Sequence, residues 1–134
     1  MELQVGVKIL LKNKQGKFLL LLRNPKQYPE AGETWDMVGG RIQSGVGLLD
    51  NLKREIKEET GLDYPGAPKL ITAQDIILST NKHIVRLTYE GEIEGEVVVG
   101  EEHLEARWFS LAEIKTTPSL DKYLKEMLES YGNK

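Results

Sequence analysis

Apolar and polar positions alternate loosely from Gln4 to Leu11, a stretch rich in Val, Ile and Leu, and this predicts a strand. Asn13-Lys14-Gln15-Gly16 reads as a turn, and Lys17 to Arg23 as a second strand that forms a hairpin with the first. The unbroken run Phe18-Leu19-Leu20-Leu21-Leu22 predicts a strand covered on both faces. Asn24 to Thr34 contains Pro and Gly and reads as a long loop, of the kind that often carries function in a small domain. Trp35 to Val38 is a short strand running into Gly39-Gly40. Lys69 to Leu78 and His83 to Glu92 read as paired strands joined by Ser79 to Lys82, Glu96 to Val99 as a further short strand, and Leu104 to Phe109 as the last.

Between these strands the period changes to that of helices. Asp50 or Asn51 is positioned to cap a helix running to about Thr60, with Gly61 as its stop. Leu48, Leu49, Leu52 and Ile56 make its apolar stripe. Ser110 caps a helical turn over Leu111 to Ile114. Pro118 opens a final helix over about 119–130, with Leu120, Tyr123, Leu124, Met127 and Leu128 on one face. Helices around a mixed sheet predict an α/β sandwich in one domain spanning 1–134.

Composition narrows the function. With 40% hydrophobic and 29% charged residues the 134-residue chain is expected to be globular. A net charge of -3 gives no basic footprint, so a nucleic-acid polymer is not the expected partner. The absence of cysteine removes thiolate catalysis and thiolate-bound zinc. No signal-peptide pattern opens the chain and the Phe18–Leu22 run is too short to span a bilayer, so a cytoplasmic protein without membrane contact is expected.

The chemistry concentrates in Gly40 to Leu62. Glu55, Glu58 and Glu59 stand at i, i+3 and i+4 on one helix face, where like charges repel by about a few tenths of a kcal/mol per pair. Arg54 reaches Glu58 but does not balance three carboxylates. A hard divalent cation does, and Mg2+ takes carboxylate oxygens.

Gly40, Arg54, Glu55, Ile56, Glu58, Glu59, Gly61 and Leu62 stand at the spacing of the Nudix hydrolase signature, and the segment resembles that superfamily. Such a match arises by chance in on the order of one window in 10^7 at average residue usage. One position departs: Val46 stands where the pattern has its first Glu, and the neighbouring Gln43 is neutral too. The resemblance implies an α/β/α sandwich with a central mixed sheet and a MutT-like, Mg2+- or Mn2+-dependent hydrolase. The bond cut is the pyrophosphate of a nucleoside diphosphate linked to another group.

The resemblance also implies roles. Glu59 and Glu55 are the principal metal ligands, joined by Glu58, which with Arg54 also belongs to the catalytic group; Arg54 holds the glutamates in position. A carbonyl at Gly39 or Gly40 is a further ligand candidate, since glycine lets the backbone approach closely; Gly40 is assigned to the metal and Gly39 to the substrate. The general base is expected in the loop before Trp108, with Glu102 first and Glu101 second. Glu105 is expected to pair with Arg107 or face solvent, and His103 is a further candidate for the base, against the competing expectation of an exposed, incidental histidine. Arg23 is a candidate for holding substrate phosphates, against an ordinary solvated strand-end cation. Trp35, and more weakly Tyr28, are candidates for stacking on a base, with core packing as the competing expectation for Trp35.

The chain's length and N-terminal hairpin resemble triphosphate-cleaving MutT-like enzymes more than the longer ADP-ribose enzymes, which favours a (deoxy)nucleoside triphosphate or oxidised nucleotide. ADP-ribose and dinucleoside polyphosphates stay open as substrates, as does a catalytically weak domain that senses a nucleotide, or a scaffold. Oligomeric state is also open, a homodimer included.

Overall fold

The structure, a computed structural model, describes residues 1–29 and 32–131. Its strands are β1 (Glu2–Lys12), β2 (Phe18–Arg23), β3 (Trp35–Asp36), β4 (Val38–Arg41), β5 (Lys69–Leu78), β6 (Lys82–Glu92) and β7 (His103–Phe109); its helices are α1 (Leu48–Thr60), α2 (Leu111–Lys115) and α3 (Lys122–Leu128). All seven strands join one mixed sheet with the path β3-β2-β1-β6-β5, β4 pairing with β1 and β7 with β2. β1 and β6 are parallel from Glu2↔Lys82 to Lys12↔Glu92, and the other strand pairs are antiparallel. Among the described residues no helix is long and apolar enough to cross a membrane.

The Leu run of β2 works on both sides of the sheet. Leu19 and Leu21 join Val7, Ile9, Leu52 and Ile56 under α1, while Leu20 joins Leu10, Ile114 and Leu124 under α2 and α3. Strand periodicity sends successive side chains to opposite faces, so one short segment serves two cores. The hydrophobic pattern predicts the α/β sandwich, and this is the α/β/α layering that the resemblance implies. β1 touches β2 in ladder register only at Lys12↔Phe18, because its two long sides are taken by β4 and β6.

Several expected boundaries are corrected. α1 begins at Leu48 after Gly47, with no side-chain cap, and neither Asp50 nor Asn51 caps it. Asn51 is fully buried and braces the preceding loop instead: its amide accepts from Gln43 N and donates to Val46 O and Gly47 O, each at 2.8 Å. Leu48 and Leu49 stay 37% and 48% exposed, since α1 turns Leu52, Glu55, Ile56 and Glu59 toward the sheet. Residues 96–99 form no strand; Val97 and Val99 pack on the α1-side core while Val98 N bonds Thr60 O. Pro118 does not open the last helix. Ser119 takes φ 58°, Leu120 bridges to Trp35 as extended chain, and Asp121 caps α3 by accepting from Tyr123 N and Leu124 N. The Ser110 cap is present, as a full capping box with Glu113.

Candidate active site

The third turn of α1 carries the acidic face against β4. Glu55 and Glu59 are 8% and 6% exposed, whereas Glu58 projects into solvent. β4 requires glycine twice, at Gly39 against the β1 backbone and at Gly40 against Glu55 of α1. A Cβ on Gly39, whose φ is +138°, would lie 2.0 Å from Val7 O, and one on Gly40 would lie 2.9 Å from Glu55 Oε2. Gly39 N donates to Glu59 Oε1 at 2.8 Å. Gly39 O accepts from the Lys8 ammonium at 3.1 Å, and a Cβ on Gly6 of β1 would lie 3.7 Å from Gly40 O.

Arg54 organises the rest of this face. Its Nη1 donates to Glu55 Oε1 at 2.8 Å and to Glu58 Oε2 at 3.3 Å, and its Nη2 to Asn51 Oδ1 at 2.9 Å. Its Nε is buried without a hydrogen-bond partner among the described residues. Val46 is partly exposed in the loop that Asn51 braces and offers no acceptor from its side chain.

Burial pushes the Glu59 carboxyl up to about 8, against the pull of Lys8 and the Gly39 N–H, while Glu55 and Glu102 add to the rise. Burial also raises Glu55; the bonded Arg54 guanidinium opposes this and Glu58 reinforces it. Two buried carboxylates side by side thus lack the positive charge needed to ionise comfortably.

Opposite α1, the start of β7 brings Glu102 and His103 to Glu59. One ligand atom from each of the three lies within 4.8 Å of the others. Glu102 Oε2 accepts the Tyr28 hydroxyl at 3.0 Å, and the backbone carbonyls of Glu101 and Glu102 accept from the Asn24 side chain and backbone. The loop after β2 therefore clasps the strand that carries Glu102. Burial, then the hydrogen bond to Glu102, raises the Tyr28 phenol above its ordinary value. Glu101 is exposed, and Glu105 pairs with Arg107 at 2.8 Å as expected. His103 is not exposed: it is buried, and burial, with Lys8 and Arg23 nearby, pushes its pKa down to about 4 against the pull of Asp36.

Arg23 is not a solvated strand-end cation. It bonds Asp36 and, at 3.2 Å, Asp121. Arg86 spans the same two carboxylates at 3.0 and 2.9 Å, and Lys8 reaches Asp36 at 3.2 Å. Burial pushes Asp36 up, but Arg86, Lys8 and Arg23 outweigh it and hold the carboxyl well below the usual range. Trp35 lies in the core on the α3 side, edge-on to Phe109 at 5.1 Å with Arg107 over its ring at 4.9 Å. Arg23 also stands over the Tyr28 ring at 5.7 Å.

Lys8, Asp36, Arg86 and Asp121 were not singled out from the sequence. The signal was there: Lys8 interrupts the apolar run VGVKILL, Arg86 interrupts HIVRLTY, and Asp36 sits between Trp35 and Met37. A single charge at an inward position of a buried strand implies a partner.

The donor set fits a hard divalent ion. Buried Glu59 and Glu55 need countercharge, Glu58 and Glu102 flank them, Gly40 lets the backbone lie against Glu55, and Gly39 N bonds Glu59. No curated protein matches the chain. Among solved structures, a MutT protein from Methanosarcina mazei Go1 superposes with a TM-score of 0.84 at 27% identity, over 96% of this chain and 91% of that one. A MutT NUDIX hydrolase from Burkholderia pseudomallei gives 0.81 at 24% identity, over 98% and 99%. A C. elegans Ap4A hydrolase gives 0.68 at 16% identity, over 96% of both. The family model of the NUDIX domain matches residues 2–131, and the chain belongs to the Nudix family.

Proposed function

We propose that this protein is a Mg2+- or Mn2+-dependent pyrophosphohydrolase acting in the cytoplasm on a small nucleotide, a nucleoside diphosphate linked to a further group. The observation that carries the reading is buried Glu59, beside buried Glu55 on α1, with a carboxylate oxygen within 4.8 Å of one from Glu102. Glu55, Glu58 and Glu59 would hold the ion, whose chemistry when bound would be to neutralise phosphate charge and activate water for attack. Arg54 keeps Glu55 and Glu58 oriented through its two bonds. Glu102 accepts the proton of the attacking water, one of its oxygens being steadied by Tyr28. Lys8 lies close enough to Glu59 to lower its pKa and supplies fixed positive charge at the floor. Arg23, Gly39 and Trp35 are proposed to border the substrate: Arg23 anchored by Asp36 and Asp121, Gly39 through its backbone, and Trp35 as the wall behind the loop.

A (deoxy)nucleoside triphosphate or its oxidised form is the proposed substrate, supported by the likeness to a MutT protein. Product release from a panel of triphosphates, oxidised triphosphates, ADP-ribose and dinucleoside polyphosphates, with Mg2+ and with chelator, tests this. Turnover in chelator, or equal turnover by Glu59→Gln, overturns the metal mechanism. A second reading, a nucleotide sensor with little turnover, is favoured by Val46 and by the orphaned Arg54 Nε. Calorimetric binding without product would establish it.

A further inference from the structure

The ladder between β2 and β7 slips where β7 begins. Leu22 faces Glu105, and Arg23 faces His103, so Leu104 is the extra residue of a bulge. Bulges near active sites re-aim side chains. Here Leu104 is left 48% exposed, while His103, at the very end of the strand, is only 9% exposed. Its Nδ1 is buried and has no hydrogen-bond partner among the described residues. A buried ring nitrogen without a partner calls for an explanation, and a bound ion is one. The neighbours agree: a ring nitrogen of His103, an oxygen of Glu59 and an oxygen of Glu102 lie within 4.8 Å of one another. Donors bonded to one ion at about 2.0–2.2 Å stand at most about 4.4 Å apart, so small side-chain movements bring these three onto one ion.

Resting on the reading of this face as a divalent-metal site, we propose that His103 supplies a nitrogen ligand, with Glu59 and Glu102 completing a mixed nitrogen–oxygen site for Mn2+, Co2+ or Zn2+. Mg2+ prefers oxygen throughout, whereas imidazole suits the later first-row ions, so one nitrogen shifts selectivity toward them. No thiolate competes for the ion, because the chain has no cysteine. In this form Glu102 is a ligand, and its work as a base is confined to the magnesium form. The other histidine, His83, bonds Asp75 at 2.8 Å across β5 and β6 and serves as the internal control.

The test is pulsed electron paramagnetic resonance on Mn2+ bound to the untagged protein, grown with natural and with 15N-labelled histidine. Coupling to a directly bound imidazole nitrogen that changes with the label is expected, lost in His103→Asn and kept in His83→Gln. Calorimetry should show the Co2+ dissociation constant rising at least tenfold in His103→Asn, and that of Mg2+ rising much less. Bound Mn2+ with no histidine nitrogen coupling overturns the proposal and leaves the carboxylate site standing; the labelled parent protein decides this even if the variant does not fold. A parent that binds no Mn2+, or binds it undiminished in Glu59→Gln, overturns the metal site itself and this proposal with it.

Discussion

Tyr28 donates its hydroxyl to Glu102 Oε2 across 3.0 Å, tying the loop after β2 to the head of β7. Tyr28→Phe keeps the ring over Arg23 and removes only that bond. Glu102 then loses the group that fixes its rotamer, so kcat should fall by roughly 3–10-fold with KM little changed, corresponding to about 1 kcal/mol. Steady-state kinetics on the best substrate checks this. A KM effect alone would assign Tyr28 to substrate binding instead.

Without metal, stability should fall as pH rises from 6.5 to 8. The Glu59 carboxyl is raised from 4.5 to about 8 in the fold, so between those values the folded chain holds a proton that the unfolded chain has lost. Stability from this group falls with rising pH. His103 is lowered from 6.5 to about 4, so its contribution rises with pH over that range and offsets Glu59 between pH 4.5 and 6.5. From 6.5 to 8 the Glu59 effect, about 1–2 kcal/mol, is no longer offset by His103, and the raised Glu55 carboxyl acts in the same direction. Urea melts in EDTA at three pH values measure it. Saturating Mg2+ should abolish the decline by favouring the ionised carboxylate, and Glu59→Gln should flatten the curve in EDTA while losing the metal-induced rise in Tm. A flat profile for the parent in EDTA would contradict the buried-acid account.

Asp36 holds Lys8, Arg23 and Arg86 together at 2% exposure. Asp36→Asn keeps its shape and strands these cations, costing about 3–5 kcal/mol. Tm should drop by roughly 10–20 °C in a thermal melt. Adding Arg86→Met should return part of the loss, because it removes one of the uncompensated charges. An unchanged Tm in the single variant would mean that the network is solvated.

Val46→Glu restores an acceptor near the helix that carries Arg54, whose Nε lacks a partner. A charged acceptor there should tighten the acidic face, lowering the Mg2+ requirement or raising kcat by about 10-fold or more. A Mg2+ titration of both proteins decides. No change in either quantity would make Val46 neutral and Asn51, which already accepts from Arg54 Nη2, the sufficient brace.

The layers and the acidic face were legible because each rests on a local period. Phe18 to Leu21 are buried as an unbroken apolar run predicts, and Glu55 and Glu59 share a face because helical spacing puts them there. What failed depended on tertiary context. Ser119 in a left-handed conformation and Leu120 bridging Trp35 delay the last helix to Lys122, though Pro118 promised an earlier start. His103 looked solvated because nothing local announces a bulge at Leu104. Arg23 read either as a phosphate-holding group or as a solvated cation, and its ion pairs were missed because Asp36 and Asp121 lie 13 and 98 residues along the chain. Ion pairs between distant segments leave no periodic trace, only a lone charge in an apolar run.

The parallel ladder of β1 with β6 also sets a schedule for folding. Its partners run from Glu2↔Lys82 to Lys12↔Glu92, and parallel strands cannot be closed by a short turn. During synthesis β1 and β2 emerge long before β6, so the Phe18–Leu22 stretch has neither α3 nor a completed sheet to cover it. Contacts of such long sequence separation slow folding, and an uncovered aliphatic strand invites self-association meanwhile. The same side chains that bind two layers into one core in the finished protein are therefore its main exposure to misassembly on the ribosome.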